Sequence, residues 1–129
     1  MTEQEKKEII NHRVEQSNRT ILEADLLIKN KSLAAAVNRI YYSVFYIISA
    51  LGMKDNFSSS KHTQLLGWFN KKYIATGKIK KEYGRFIHNL FNKRMEGDYE
   101  VFVEFLKADV IDLYNQARIL IAEIKKLIN

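Results

Sequence analysis

Apolar residues at the start of the chain recur at helical spacing. Ile10, Val14, Ile21, Ala24 and Ile28, with Ser17 in register, follow one another at intervals of four and three, a stripe that predicts a helix over about Glu3–Asn30. Asn30 and Lys31 break it, and Ser32 is a candidate N-cap for the next helix. From Ser32 to Met53 the pattern changes. Leu33-Ala34-Ala35-Ala36-Val37 and then Ile40 through Ile48 are apolar almost all round, as in a helix wrapped by others. The consecutive alanines and the length favour a helix over a pair of buried strands. Gly52 is read as its end and Asn56–Ser60 as a loop. A third helix is expected over Lys61–Ile74 and a fourth over Lys78–Met95, separated by Ala75-Thr76-Gly77. Glu96-Gly97-Asp98 is read as the next break. The last helix, Val101–Ile128, carries a heptad stripe from Val103 and Leu106 to Leu127. The expected fold class is all-α, an up-and-down bundle of about five helices forming one domain over 1–129. Ser32–Met53 lies at its centre, with Val44, Phe45 and Ile48 almost fully buried.

Composition narrows the chemistry. The 129 residues include no cysteine, which excludes a disulfide scaffold, a thiol nucleophile and thiolate zinc sites. The absence of proline suits long unbroken helices. The longest strongly apolar stretch, Ile40–Leu51, is shorter than the roughly 20 residues of a membrane span. The N-terminus is charged and lacks the apolar core of a signal peptide, so a cytoplasmic location without a membrane role is expected. Net charge is +6, unevenly spread: Lys61–Arg94 holds nine Lys/Arg and one acid, Glu82, while the rest is slightly acidic. Such a segment attracts phosphates or an acidic partner, or simply keeps a solvated face soluble.

Familiar catalytic signatures are missing. Gly77-Lys78 lacks the upstream glycine of a P-loop. His12, His62 and His88 are far apart and form no HExxH pair, so neither a metal site nor a cofactor is expected. Ser58, Ser59 and Ser60 read as turn and cap residues. Tyr41, Tyr42, Phe45 and Tyr46 would suit base stacking, although a buried aromatic core with hydroxyls bonded at its edge is the plainer reading. Asn38 and Arg39 are polar on an apolar helix and need partners; Asp98 or Asp109 would serve Arg39. Between Arg85 and Tyr99 polar residues concentrate near one helix end. There Arg85 and His88 share a face, and Asp98 is placed to cap the last helix.

Three pieces of the chain resemble the HEPN domain (higher eukaryotes and prokaryotes nucleotide-binding). They are Ala35-Ala36-Val37-Asn38-Arg39-Ile40-Tyr41-Tyr42-Ser43-Val44-Phe45, Ser60-Lys61-His62-Thr63 through Tyr73, and Arg94-Met95-Glu96-Gly97-Asp98-Tyr99. The last is similar to the Arg-x-x-x-Asp-Tyr signature of the small stand-alone prokaryotic branch. The resemblance runs from about Arg13 to Leu127. It implies a helical bundle that dimerises and pairs with a small nucleotidyltransferase in toxin–antitoxin-like or defence modules. Many HEPN proteins are metal-independent ribonucleases with an Arg-x(4–6)-His motif, and here Tyr99 stands where four intervening residues would place the His. Tyrosine, with a reference pKa near 10, is a poor general base at neutral pH, whereas Arg94 can still grip a phosphate with two parallel hydrogen bonds.

The expectation is a HEPN module with a degenerate ribonuclease motif, binding RNA, a nucleotide or a nucleotidyltransferase partner. One alternative is a ribonuclease toxin using a non-standard set around Arg94, His88 and Asn89; another is a structural interaction module whose Tyr99 is modified by the partner. Catalytic candidates are His88, Arg94 and Tyr99. Phosphate-binding candidates are Arg39, Lys61, Arg85, Asn89, Lys93, Arg94, Asp98 and Tyr99. A homodimer would set Arg94 and Tyr99 of each chain near the two-fold axis.

Overall fold

The computed structural model describes residues 1–99 and 103–129. In order they form α1 (Glu3–Lys29), α2 (Leu33–Lys54), α3 (His62–Phe69) continuing into a π-helical turn over Asn70–Ile74, α4 (Lys81–Tyr99) and α5 (Lys107–Ile128). Among the described residues there is no strand. The fold is an all-α helical bundle.

Thr2 starts α1, its hydroxyl accepting from the Glu5 N–H at 3.1 Å. The predicted stripe of α1 turns inward, with Ser17, Ala24 and Ile28 buried and Ile10, Val14 and Ile21 half-buried; Thr20, outside the stripe, is buried beside them. Small residues at this seam let α1 lie close along α2, the most extensive helix pairing in the molecule. The buried hydroxyls are satisfied locally: Ser17 donates to the Ser43 carbonyl and Ser43 to the Ile40 carbonyl, each at 2.7 Å. α2 is the central element, touching α1, α3, α4 and α5. Ile40, Ile47, Ile48 and Leu51 have no solvent exposure, and each such side chain contributes about 1.5–3 kcal/mol by leaving water. By length and composition α2 could also cross a membrane; here that apolar surface is the inside of the bundle.

Four expectations are corrected. Phe45 is only half-buried, because its ring lies against His62 at the bundle's edge, while Val44 and Ile48 are buried as expected. Gly52 does not end α2, which continues to Lys54; the glycine instead makes room for the following loop. A Cβ there would stand 2.8 Å from the Phe57 carbonyl oxygen, which accepts no such contact, and the Phe57 N–H folds back to the Gly52 carbonyl at 2.8 Å. Glu96-Gly97-Asp98 is not a break. α4 runs through it, and Phe105 packs on the bare Gly97 backbone, where a Cβ would meet the ring at 3.0 Å. The last helix starts at Lys107, so Val103 and Leu106 of the heptad stripe precede it, and Asp98 lies on α4 rather than capping α5. The predicted start at Val101 falls in 100–102, outside the described residues.

Candidate functional site

One face of α2 presents Asn38, Tyr42, Phe45, Tyr46 and Ser49, spaced at helical intervals, toward α3, α4 and the loop before α3. Tyr41 points deeper and is 1% exposed, while Tyr42, Phe45 and Tyr46 are half-buried. The aromatic run therefore divides: one ring belongs to the core, and three form a wall with an accessible side.

Arg94 of α4 lies on this wall. Its guanidinium sits 5.1 Å from the Tyr41 ring centre and 5.3 Å from that of Tyr42. Its Nη2 donates to the Tyr42 hydroxyl at 3.2 Å and its Nε to Asp98 Oδ2 at 3.2 Å. Nη1 makes only a weak contact with Met95 Sδ at 3.7 Å. Of five N–H donors, two thus have oxygen partners. The side chain is 12% exposed, so the charge is positioned by its surroundings and not by solvent. The Asp98 oxygen that holds it also accepts from Asn38 Nδ2 at 3.2 Å, tying α4 to α2.

Arg39 does not pair with Asp98 or Asp109. Its neighbour Asn38 takes Asp98, and the Arg39 guanidinium lies 5.6 Å from the centre of the Tyr42 ring. Its Nε is buried without a hydrogen-bond partner among the described residues. Among the described residues, two guanidinium groups thus approach the Tyr42 ring and one carboxylate, Asp98, pairs with one of them, so the described groups are net positive.

The imidazole of this cluster is His62, at the start of α3. Its Nδ1 shares a 3.0 Å hydrogen bond with the Tyr41 hydroxyl, and its ring lies 4.3 Å from Phe45. Burial, and after it the charge of Arg94, hold His62 below the ordinary histidine range. Burial pushes the Tyr41 phenol up, which keeps it protonated and able to donate to Nδ1. When it does, the ring proton sits on Nε2. Arg94, Tyr41 and His62 form one connected group in which an anion would meet a fixed cation beside a neutral imidazole.

The remaining predicted site residues are not gathered here. Arg85 and His88 are exposed in the first half of α4, where His88 Nε2 lies 3.3 Å from Asn92 Nδ2 and Asn89 is exposed beside it. Lys93 pairs with Glu96 at 3.7 Å. Lys61 is exposed next to His62, and Tyr99 projects into solvent, 69% exposed. Sequence spacing sought a histidine downstream of Arg94, whereas the fold supplies one from more than thirty residues upstream. Its signal was the Lys61-His62 piece of the resemblance, which places a histidine at a helix start directly after the loop from α2.

A sequence profile of the HEPN domain matches residues 10–127. The chain belongs to the HEPN family. This HEPN domain is 41% identical to a UPF0332 protein of Thermotoga maritima over 124 residues, 96% of the chain and 94% of that protein. It is 28% identical over 113 residues to a candidate toxin of Methanocaldococcus jannaschii, 88% of the chain and 77% of that protein. The matched span contains the α2 face, His62 and Arg94 of this HEPN domain together.

Proposed function

We propose that this HEPN protein binds the phosphate of RNA or of a nucleotide at Arg94, as part of a toxin–antitoxin-like or defence module. The observation that carries the reading is the state of Arg94: a nearly buried guanidinium, oriented by Tyr42 and Asp98, with donors to spare in a net positive cluster. Such a group offers a planar fork to a phosphate at little further ordering cost. The half-exposed rings of Tyr42, Phe45 and Tyr46 supply stacking faces beside it. The lysine-rich stretch around the α3–α4 connection supplies long-range attraction, so affinity falls steeply with salt. The likeness to the Methanocaldococcus candidate toxin supports the toxin-like setting. A homodimer and a small nucleotidyltransferase are the partners proposed with it; sedimentation at micromolar concentration and co-purification with the product of an adjacent gene test them.

The direct test is fluorescence anisotropy with a labelled oligoribonucleotide at low salt. Arg94→Ala is expected to lose at least tenfold in affinity, more than any single lysine change. Unchanged affinity would refute the assignment.

One observation favours a second reading, RNA cleavage: the placement of neutral His62 beside Arg94. A neutral imidazole beside a phosphate-holding arginine is equipped for proton transfer at neutral pH. Under this reading His62→Ala abolishes cleavage of the same oligoribonucleotide and leaves binding nearly intact, whereas His88→Ala changes neither.

A further inference from the structure

On the far side of the aromatic wall from Arg94 lies a cavity of about 460 Å³, between α1, α2 and the loop that precedes α3. Arg13, Tyr46, Ser49 and the serines at 58–60 line it, with Phe45 as the wall it shares with His62. Arg13 is half-buried, and burial lowers its pKa, a sign of lost hydration. Its one hydrogen bond runs from Nη1 to the Ser49 carbonyl at 3.2 Å, and among the described residues it has no carboxylate within ion-pairing distance. Among the described residues no acid lines the cavity. Ser59 is occupied, donating to Gln64 Oε1 at 2.8 Å and accepting from the Lys61 N–H at 3.1 Å. The hydroxyls of Ser58 and Ser60 are exposed and make no hydrogen bond among the described residues. An arginine drawn out of water, uncompensated by any acid and facing free hydroxyls, is a site short of an anion.

Its position says which anion. Arg94 is anchored at Tyr42 and Arg13 at Ser49, two turns further along the same face of α2, about 10 Å apart at 1.5 Å per residue. One phosphate cannot reach both cations; two phosphates of one strand, separated by an intervening one, can. Between them the rings of Tyr42 and Tyr46 lie 5.9 Å apart and those of Phe45 and Tyr46 6.3 Å, each half-buried. We propose that the Arg13 pocket is a second phosphate subsite, and that single-stranded RNA crosses the Tyr42–Phe45–Tyr46 wall with one phosphate at Arg94 and another at Arg13. This deepens the reading of Arg94 above and rests on it for the first phosphate.

The experiment compares a labelled oligouridylate hexanucleotide with uridine monophosphate as a competitor, across a salt series. Arg13→Gln removes the charge and leaves a shorter, neutral amide in place of the guanidinium that bonds the Ser49 carbonyl. It is expected to weaken the hexanucleotide about tenfold, to reduce the salt slope by about 0.7, and to leave the monophosphate unaffected. Arg13→Lys should recover most of the slope. Ser58→Glu sets a carboxylate at the exposed rim without touching Arg13, and should weaken the hexanucleotide even if Arg13→Gln folds poorly. Unchanged hexanucleotide affinity in both Arg13→Gln and Ser58→Glu overturns the subsite. If Arg94→Ala loses both probes while these two variants lose neither, the subsite fails and the Arg94 reading stands. If Arg94→Ala loses nothing while Arg13→Gln loses the hexanucleotide, the Arg13 pocket stands and the Arg94 reading fails. A wild-type protein that ignores the hexanucleotide at low salt overturns both.

Discussion

Arg85 and His88 in the first half of α4, and Arg94 and Asp98 in the second, are polar residues of similar kinds about two and a half turns apart on one helix. Arg85 and His88 are exposed. Their neighbours are the π-helical turn and α3, which offer Asn70 and apolar side chains but no carboxylate to fix a guanidinium. Arg94 and Asp98 face the Asn38–Tyr42 stretch of α2, which fixes both. The two halves differ in what lies across the interface rather than in their own residue types. A charged residue becomes a site when the opposing helix holds it in one orientation, and a binding face of this kind costs side-chain freedom before the ligand arrives.

The largest test of this contrast removes the packing that both halves share. Leu90 is fully buried midway along α4, and Leu90→Ala should cost about 2–5 kcal/mol in chemical denaturation while loosening both halves together. Phe45→Ala, half-buried, should cost less than the roughly 3–5 kcal/mol typical of a fully buried phenylalanine. Next come the paired arginines. Against the loss of at least tenfold expected for Arg94→Ala, Arg85→Ala should lower RNA affinity only about twofold and act mainly through the salt slope. Equal losses would erase the distinction between the halves.

A smaller effect follows from pH. His62 titrates below its unfolded value, so the unfolded chain binds the proton more readily. The associated stability is complete above the unfolded pKa near 6.5, and is lost as pH falls from there through the folded pKa. His62→Gln should flatten that part of the stability profile. Arg94→Ala, which removes the second of the two causes, should raise the His62 pKa in an NMR titration without restoring it fully. The smallest expected effect is on the exposed end of α4: Tyr99→Phe should change stability by less than about 0.5 kcal/mol.

The bundle was legible because its helices are long and strongly patterned. α1 and the central α2 fall within a residue or two of their predicted limits, and the break at Ala75-Thr76-Gly77 is real. The misreadings share one cause, the local treatment of residues whose role is tertiary. Gly97 looks like a helix breaker in a window of a few residues, yet a helix tolerates it, and the flat backbone is filled by Phe105 from the segment before α5. Arg39 needed a partner by any local argument, but its neighbour Asn38 is the residue that points at Asp98. At the site, Arg94 and Asp98 were legible only as parts of the Arg-x-x-x-Asp-Tyr resemblance, because the helix that pairs them was expected to break before Asp98. His62 was not, because its link to Arg94 runs through Tyr41 on a third helix, and no spacing rule along the chain encodes that contact.

Gly52 has a consequence for how tolerance to mutation should be read. It carries no chemistry, but the loop that folds back over it is the one that delivers His62 to Tyr41 and the serines to Arg13. Any side chain there must displace the Phe57 carbonyl, a backbone atom that cannot swing aside. In a saturation screen scored by growth or binding, position 52 would register as intolerant as Arg94 while the protein remained helical. A map of such scores would outline the proposed binding surface correctly only after this hinge-like position had been separated from it, by asking which intolerant variants still bind once supplied in excess.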